Sequence, residues 1–256
     1  MITDPSTAKS VVITIDGPAG AGKSTIARQL ARRLKFSYLD TGAMYRALTL
    51  KALKQKVPLT EEAALVSLAR QTKIDLQTDE KQMSKVFLDG CDVTTDIRSI
   101  EVTNNTFYIA RVGGVREIMV EWQRAIGQKS NIVVEGRDAG TVIFPKATKK
   151  FYLDANLEER ARRRIKELRL QGKEIDGKLI KLDLRERDIK DLTRKVGPLK
   201  KAKDAIVVDT TDLSIDEVVL KLFVIINKEL SQSYEQISHP QFFHHRPHRS
   251  RKIHAR

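Results

Sequence analysis

The sequence predicts an α/β protein, a parallel five-stranded sheet with helices on both faces. Three observations predict it. Five segments are short, apolar and rich in β-branched residues, as strands buried on both faces must be. Amphipathic stretches of helical period lie between them. The first segment, Val11-Val12-Ile13-Thr14-Ile15, runs into a glycine-rich loop and then a helix-like stretch, Ile26 to Leu34. A strand, a tight loop and a helix in that order form the first half of a parallel crossover.

The elements follow in order. Residues 11–16 form the first strand and Phe36-Ser37-Tyr38-Leu39 the second. From Lys73 to Ile97 the rhythm changes. Ile74-Asp75-Leu76-Gln77 and Val86-Phe87-Leu88 alternate apolar and polar residues around Asp89-Gly90, a strong tight-turn dipeptide. With Asp92-Val93-Thr94 returning, this region reads as a small antiparallel sheet inserted in the α/β core. Asn131-Ile132-Val133-Val134-Glu135, Phe151-Tyr152-Leu153-Asp154 and Ala205-Ile206-Val207-Val208-Asp209 supply the remaining parallel strands. Residues 157–170 and 215–230 read as amphipathic helices. Gly172 and Gly177 bracket Lys173-Glu174-Ile175-Asp176, a candidate flexible tip of a helical lid over about residues 160–200. Residues 231–256 hold all five histidines, interleaved with Arg and Pro and without apolar periodicity, and read as a disordered basic tail.

Composition narrows the function classes. A single cysteine, Cys91, excludes an internal disulfide framework and fits a reducing compartment. No apolar run approaches the roughly 20 residues of a membrane span, and Met1-Ile2-Thr3-Asp4-Pro5 lacks the features of a signal peptide. A cytoplasmic monomer with no membrane partner is the expectation. The net charge of +14 points first to nucleic acid. Its distribution points elsewhere. Residues 160–203 carry seventeen Lys/Arg against seven Asp/Glu, and residues 231–256 five against one. Those surpluses account for the whole excess, and a basic block in one segment reads as a clamp over polyphosphate.

The chemistry starts at Gly17-Pro18-Ala19-Gly20-Ala21-Gly22-Lys23-Ser24-Thr25, which fits Gly, four residues, then Gly-Lys-[Ser/Thr]. Glycines there let backbone N–H groups turn toward phosphate oxygens, and the following helix N-terminus adds positive charge. Lys23 reaches the outer phosphates in such a loop, and the Ser24 hydroxyl ligates magnesium. Asp40-Thr41-Gly42-Ala43-Met44-Tyr45-Arg46 offers a second anion site, with the Thr41 hydroxyl at a helix start and Arg46 about one turn on. Glu135-Gly136-Arg137-Asp138 ends a strand at the ligand-binding edge and presents a cation beside a carboxylate. Arg187, Asp191 and Arg194, at i, i+4 and i+7, share one helix face. Two phosphate sites plus an arginine-rich segment predict phosphoryl transfer between nucleotides.

These segments, with Val115-Arg116-Glu117, Gln123-Arg124-Ala125 and Ala139-Gly140-Thr141-Val142-Ile143-Phe144-Pro145, resemble bacterial cytidylate kinases from about residue 11 to 230. The resemblance implies one nucleoside monophosphate kinase domain over residues 1–230. Its monophosphate-binding part spans about 40–130 and includes the insertion at 73–97. It implies ATP with Mg2+ as donor and CMP or dCMP as acceptor. Thr41, Arg46 and Arg137 then hold the acceptor phosphate, Asp138, Arg116 and Arg194 face the cytosine, and Asp191 and Arg187 hold the ribose. Lys23, Arg137 and a lid arginine, Arg163 with Arg162 and Arg164 beside it, stabilise the transferring group. Two positions depart from the family. Phe107 stands where a Ser usually contacts the cytosine amino group, and Glu135 stands where Asp is common. Two other readings stay open: a related kinase for UMP, AMP or a shikimate-like acceptor, and a nucleotide-dependent nucleic-acid-binding protein. A guanine-reading Asn-Lys-x-Asp sequence is absent.

Overall fold

The computed structural model describes residues 10–78, 84–170, 172 and 176–238. Five parallel strands form the main sheet: β1 (Val12–Asp16), β2 (Ser37–Asp40), β6 (Ile132–Gly136), β7 (Lys149–Asp154) and β8 (Ile206–Asp209). Their spatial order is β2-β6-β1-β7-β8, so β1 lies at the centre, flanked by β6 and β7. Every residue of β1 and β6 is buried, which is why both read as near-continuous apolar runs.

Alternation along β1 splits its side chains between two cores. Ile13 and Ile15 pack with Phe151 against α1 (Lys23–Leu34) and α8 (Ile215–Ser238), where Ile26, Leu30, Leu222 and Ile226 are buried. On the other face Val12, Leu39 and Val134 meet α2 (Thr41–Lys54), α3 (Glu62–Arg70) and α5 (Gly113–Gly127) through Met44, Leu48, Leu65 and Met119. Each such large aliphatic side chain contributes about 1.5–3 kcal/mol when fully buried. Thr14 and Asp16 lie on the Val12 face, on the side of the π-helical turn Ala139–Ile143.

The inserted sheet is present as expected. Strands β3 (Ile74–Thr78), β4 (Ser84–Leu88) and β5 (Cys91–Asp92) pair antiparallel. Asp89 and Gly90 both take positive φ, +50° and +87°, as a two-residue hairpin requires. This sheet packs on α2 and α4 (Ile100–Ala110) through Val86, Leu88, Ile97 and Val102. The lid is a helical pair, α6 (Leu157–Leu170) and α7 (Gly177–Thr193), seated on the glycine-rich loop through Ala19, Ala161 and Leu184. Gly172 turns with φ +72° and Gly177 begins α7; residues 173–175 lie outside the described residues.

One boundary differs from the sequence reading. The last helix, expected to end at 230, runs on to Ser238. Ser231 to Ser238 contains no Gly or Pro, and the next breaker in the sequence is Pro240, which disfavours helix at the residue before it. The rest of the tail expected to be disordered, 239–256, lies outside the described residues. Among the described residues no helix is long and apolar enough to cross a membrane.

Candidate active site

The glycine-rich loop joins the end of β1 to α1. A Cβ at Gly17 would collide with the Leu153 carbonyl of β7, so only glycine lets the chain turn here. Gly22 occupies the N-cap of α1 in the left-handed region, φ +83°, and no side chain caps the helix. The first-turn N–H groups of α1 therefore face the loop's hollow, the arrangement that takes an anion. Lys23 bends back over the loop and donates to the Pro18 carbonyl at 2.6 Å. It is 6% exposed. Burial and the nearby Arg137 pull its ammonium down to about 7, against the carboxylates of Glu135, Asp191 and Asp16.

The acidic side of the site lies at the ends of β1, β2 and β6. Ser24 donates from Oγ to Glu135 Oε2 at 2.8 Å, and the Tyr38 hydroxyl donates to the other oxygen of Glu135. Burial, reinforced by the Asp40 charge, pushes the Glu135 carboxyl up, while Lys23, Tyr38 and Ser24 pull it down. A hydroxyl beside a carboxylate is a hard-oxygen donor set that fits Mg2+, which takes few protein ligands and completes its shell with water and phosphate. Among the described residues no cluster of three His, Cys, Asp or Glu ligands forms a closed metal cage. The family's Asp-to-Glu departure keeps this oxygen next to Ser24. The Asp16 carboxyl, also here, is pushed up to about 6 by burial, against N–H groups of Gly140 and Ala139.

The acceptor side starts at α2. Its N-terminus, expected as a second anion site, is capped from within, because Asp40 Oδ1 accepts the Ala43 N–H at 2.8 Å. The Thr41 hydroxyl donates to the Glu135 carbonyl at 2.7 Å and so ties α2 to β6. Arg46 pairs with Asp40 at 3.0 Å. Arg137 donates from Nε to Asp191 Oδ2 at 2.7 Å across the cleft, reaching from the β6 loop to α7. Burial works against the Arg137 charge, and Asp191, Glu135 and Asp16 outweigh it, so its pKa stays raised. Burial also opposes the Asp191 charge, but Arg137, Arg194 and Arg187 hold that carboxyl below its usual range. Arg187 is pulled down to about 10 by burial and by Arg137, with Arg46 and Arg164 adding to the repulsion. Arg187 thus feels guanidinium groups from α2, the β6 loop and α6, while Arg46 and Arg137 are each paired with one carboxylate.

Deeper in, Asp138 pairs with Arg116 of α5, and Arg194 lies 3.6 Å from its other oxygen. Both Asp138 and Arg116 are nearly inaccessible. Burial pushes the Asp138 carboxyl up against the pull of Arg116, Arg194 and Arg137. Arg116 lies 5.5 Å from the Tyr45 ring. Among the described residues the buried Nε atoms of Arg46 and Arg116 have no hydrogen-bond partner, so each keeps an unspent donor. Phe107, in α4, packs edge-on against Tyr108 at 6.0 Å and lies 6.0 Å from Lys190 of α7. It brings an aromatic face, and no hydroxyl, to the junction of α4 and the lid.

The lid arginines differ from one another. The Arg162 side chain is 70% exposed and pairs with Glu159 at 2.6 Å. Arg163 donates to the Thr210 hydroxyl at 3.1 Å, and its guanidinium comes within 3.8 Å of where a Cβ at Gly22 would sit. Arg164 pairs with Glu167 at 2.7 Å. Sequence reasoning missed Arg160. It is buried, donates to the Ala19 carbonyl of the loop at 3.0 Å and pairs with Asp188 of α7 at 2.6 Å, joining both lid helices to the loop. Nothing local marks it among neighbouring arginines, since both partners are distant in the chain.

A glycine-rich loop leaving the central strand of a parallel sheet, with an arginine-lined cleft and a helical lid over it, is the architecture of a phosphate-loop kinase. The family model described as cytidylate kinase matches residues 13–228, and the chain belongs to the cytidylate kinase family. It is 48% identical over 216 residues to the cytidylate kinase of Desulforamulus reducens, covering 84% of this chain and 96% of that one. With the cytidylate kinase of Geobacillus sp. WCH70 it shares 49% over 221 residues, covering 86% of this chain and 98% of the relative. With that of Caldanaerobacter subterraneus it shares 46% over 219 residues, 86% of this chain and 96% of the relative.

Proposed function

We propose that this protein transfers the γ-phosphoryl group of ATP to CMP or dCMP, giving CDP or dCDP. The observation that carries the reading is Lys23 folded over the glycine-rich loop, together with Arg137 bonded to Asp191 and the adjoining Asp138 paired with Arg116. ATP binds on the loop side, with residues 17–25 around its phosphates. CMP binds on the other side, its phosphate among Arg46, Arg137 and the Thr41 end of α2, and its ribose against Asp191 and Arg187. Asp138, held by Arg116 and Arg194, accepts a hydrogen bond from the cytosine 4-amino group and repels the uracil oxygen.

The protein has little covalent work to do in such a transfer. Its residues position the acceptor oxygen in line with the γ-phosphorus and stabilise the charge on the transferring group. Lys23 and Arg137 do this from the sheet edge and Arg163 from the lid, and closure of α6 and α7 excludes water as a competing acceptor. Ser24 and Glu135 would hold Mg2+, which would supply charge neutralisation at the donor phosphates. A monomer is the expectation, and the single exposed Cys91 fits a cytoplasmic enzyme. A coupled assay with ATP against CMP, dCMP, UMP and AMP tests the reading. Expected are CMP and dCMP well ahead of the others, and equal turnover of UMP or AMP overturns it.

A further inference from the structure

We propose that Asp16 is a positioning residue that fixes the loop carrying Arg137 and Asp138, and through it the acceptor nucleotide. The inference rests on the functional reading above for what that loop binds. It starts from a conflict in the sequence, a carboxylate ending an otherwise apolar strand. Asp16 is 4% exposed. A buried carboxylate survives only where its oxygens are hydrogen-bonded. Oδ1 accepts the Ala139 N–H at 2.8 Å and Oδ2 the Gly140 N–H at 2.8 Å. These two groups open the turn Ala139–Ile143. An N–H at the start of a helical turn lacks a partner within the turn and is ordinarily capped by the side chain just before it. That residue is Asp138, and its side chain caps nothing. Asp16 makes those bonds from the neighbouring strand instead, which leaves the Asp138 carboxylate turned toward Arg116 and Arg194.

The surroundings are shaped for this bond. A Cβ at Gly140 would lie 2.8 Å from Thr14 Oγ1 and 3.3 Å from Asp16 Oδ2. Glycine there lets the acceptor loop settle onto the end of β1. The next residue after Asp16 is Gly17, where the donor loop begins. One side chain therefore sets the acceptor loop from the strand that launches the donor loop, without being placed among the groups that touch either nucleotide.

Asp16→Asn tests this, because an amide cannot accept from both N–H groups and turns an N–H of its own toward one of them. The expected result is a KM for CMP raised at least about tenfold, with the KM for ATP changed less than about threefold. A raised KM for ATP with an unchanged KM for CMP, or no change in either, overturns the proposal. Should the variant not fold, amide hydrogen exchange on the wild-type protein decides. Slow exchange at Ala139 and Gly140 is expected, and fast exchange there in the folded protein overturns the proposal. A wild-type protein that phosphorylates no CMP overturns the functional reading instead and leaves the exchange result standing.

Discussion

At Lys23, burial and function pull in opposite directions. The side chain must be charged to meet phosphate, yet in the ligand-free protein its pKa is drawn from 10.5 to about 7. Lys23→Ala is expected to lower kcat by more than about a hundredfold, since the charge acts on the transferring group. The same residue makes a stability prediction with a definite sign. A lysine whose folded pKa lies below its unfolded pKa costs stability below about 7, and the cost fades as pH rises from about 7 toward 10.5. Lys23→Met should therefore raise the melting temperature at pH 6 by at least about 3 °C, with the gain shrinking by pH 9.5. Thermal melts without nucleotide at both pH values check this, and a gain that grows with pH contradicts it. Asp138 calls for a different measurement. Truncating one member of a buried ion pair costs on the order of 3–5 kcal/mol, so absolute rates for Asp138→Asn mix folding with chemistry. The ratio of kcat/KM for CMP over UMP is cleaner, and it should shrink at least about tenfold, because the amide can turn a donor toward the uracil oxygen. An unchanged ratio would show that Asp138 does not read the base.

Single elements differ in how much of their structure was legible. The five parallel strands were readable because both faces are buried and the chain needs little beyond apolar, β-branched residues there. The inserted hairpin was readable from Asp89-Gly90, which admits the two positive φ values its turn requires. The glycine-rich loop was readable because its chemistry is local. What local sequence does not carry is pairing over long separations. The Arg160–Asp188 pair, the Tyr38–Glu135 contact and the Arg137 bond to Asp191 each join residues far apart. The cap of α2 was not read from the sequence, because Asp40 is at once the last residue of β2 and the N-cap of the next helix. The C-terminal end gives this scale its own prediction. The family match ends at residue 228, and every assigned residue lies between 16 and 194. Removing residues 239–256 should leave kcat/KM for CMP within about twofold, because a His-rich basic stretch without apolar periodicity buries little area. A larger loss of activity, or a melting temperature several degrees lower at fixed salt, would place that stretch against the body.

Across the whole molecule, donor and acceptor loops leave adjacent strands of one sheet, β1 and β6, which pair from Val12↔Ile132 to Asp16↔Gly136. Neighbouring strands lie about 4.8 Å apart, so the sheet itself sets the span between the two half-sites. Helix packing tunes the lid, while the strand pairing holds the ruler. The surplus charge of residues 160–203 lies in the lid and the segment after it.

The central place of β1 also has a consequence for synthesis. The strand leaves the ribosome before both its partners, β6 and β7, which lie more than a hundred residues later. Long-range parallel pairing is slow to form because loop closure must precede any reward. Until residue 154 has left the exit tunnel, the glycine-rich loop has no β7 to turn against at Leu153, and its apolar strand lacks a sheet. A chain ending at residue 130 should accordingly bind no ATP in a filter or fluorescence assay and should aggregate on release, although it carries the whole phosphate-binding motif. In this protein the motif is translated before the strands it needs to become competent.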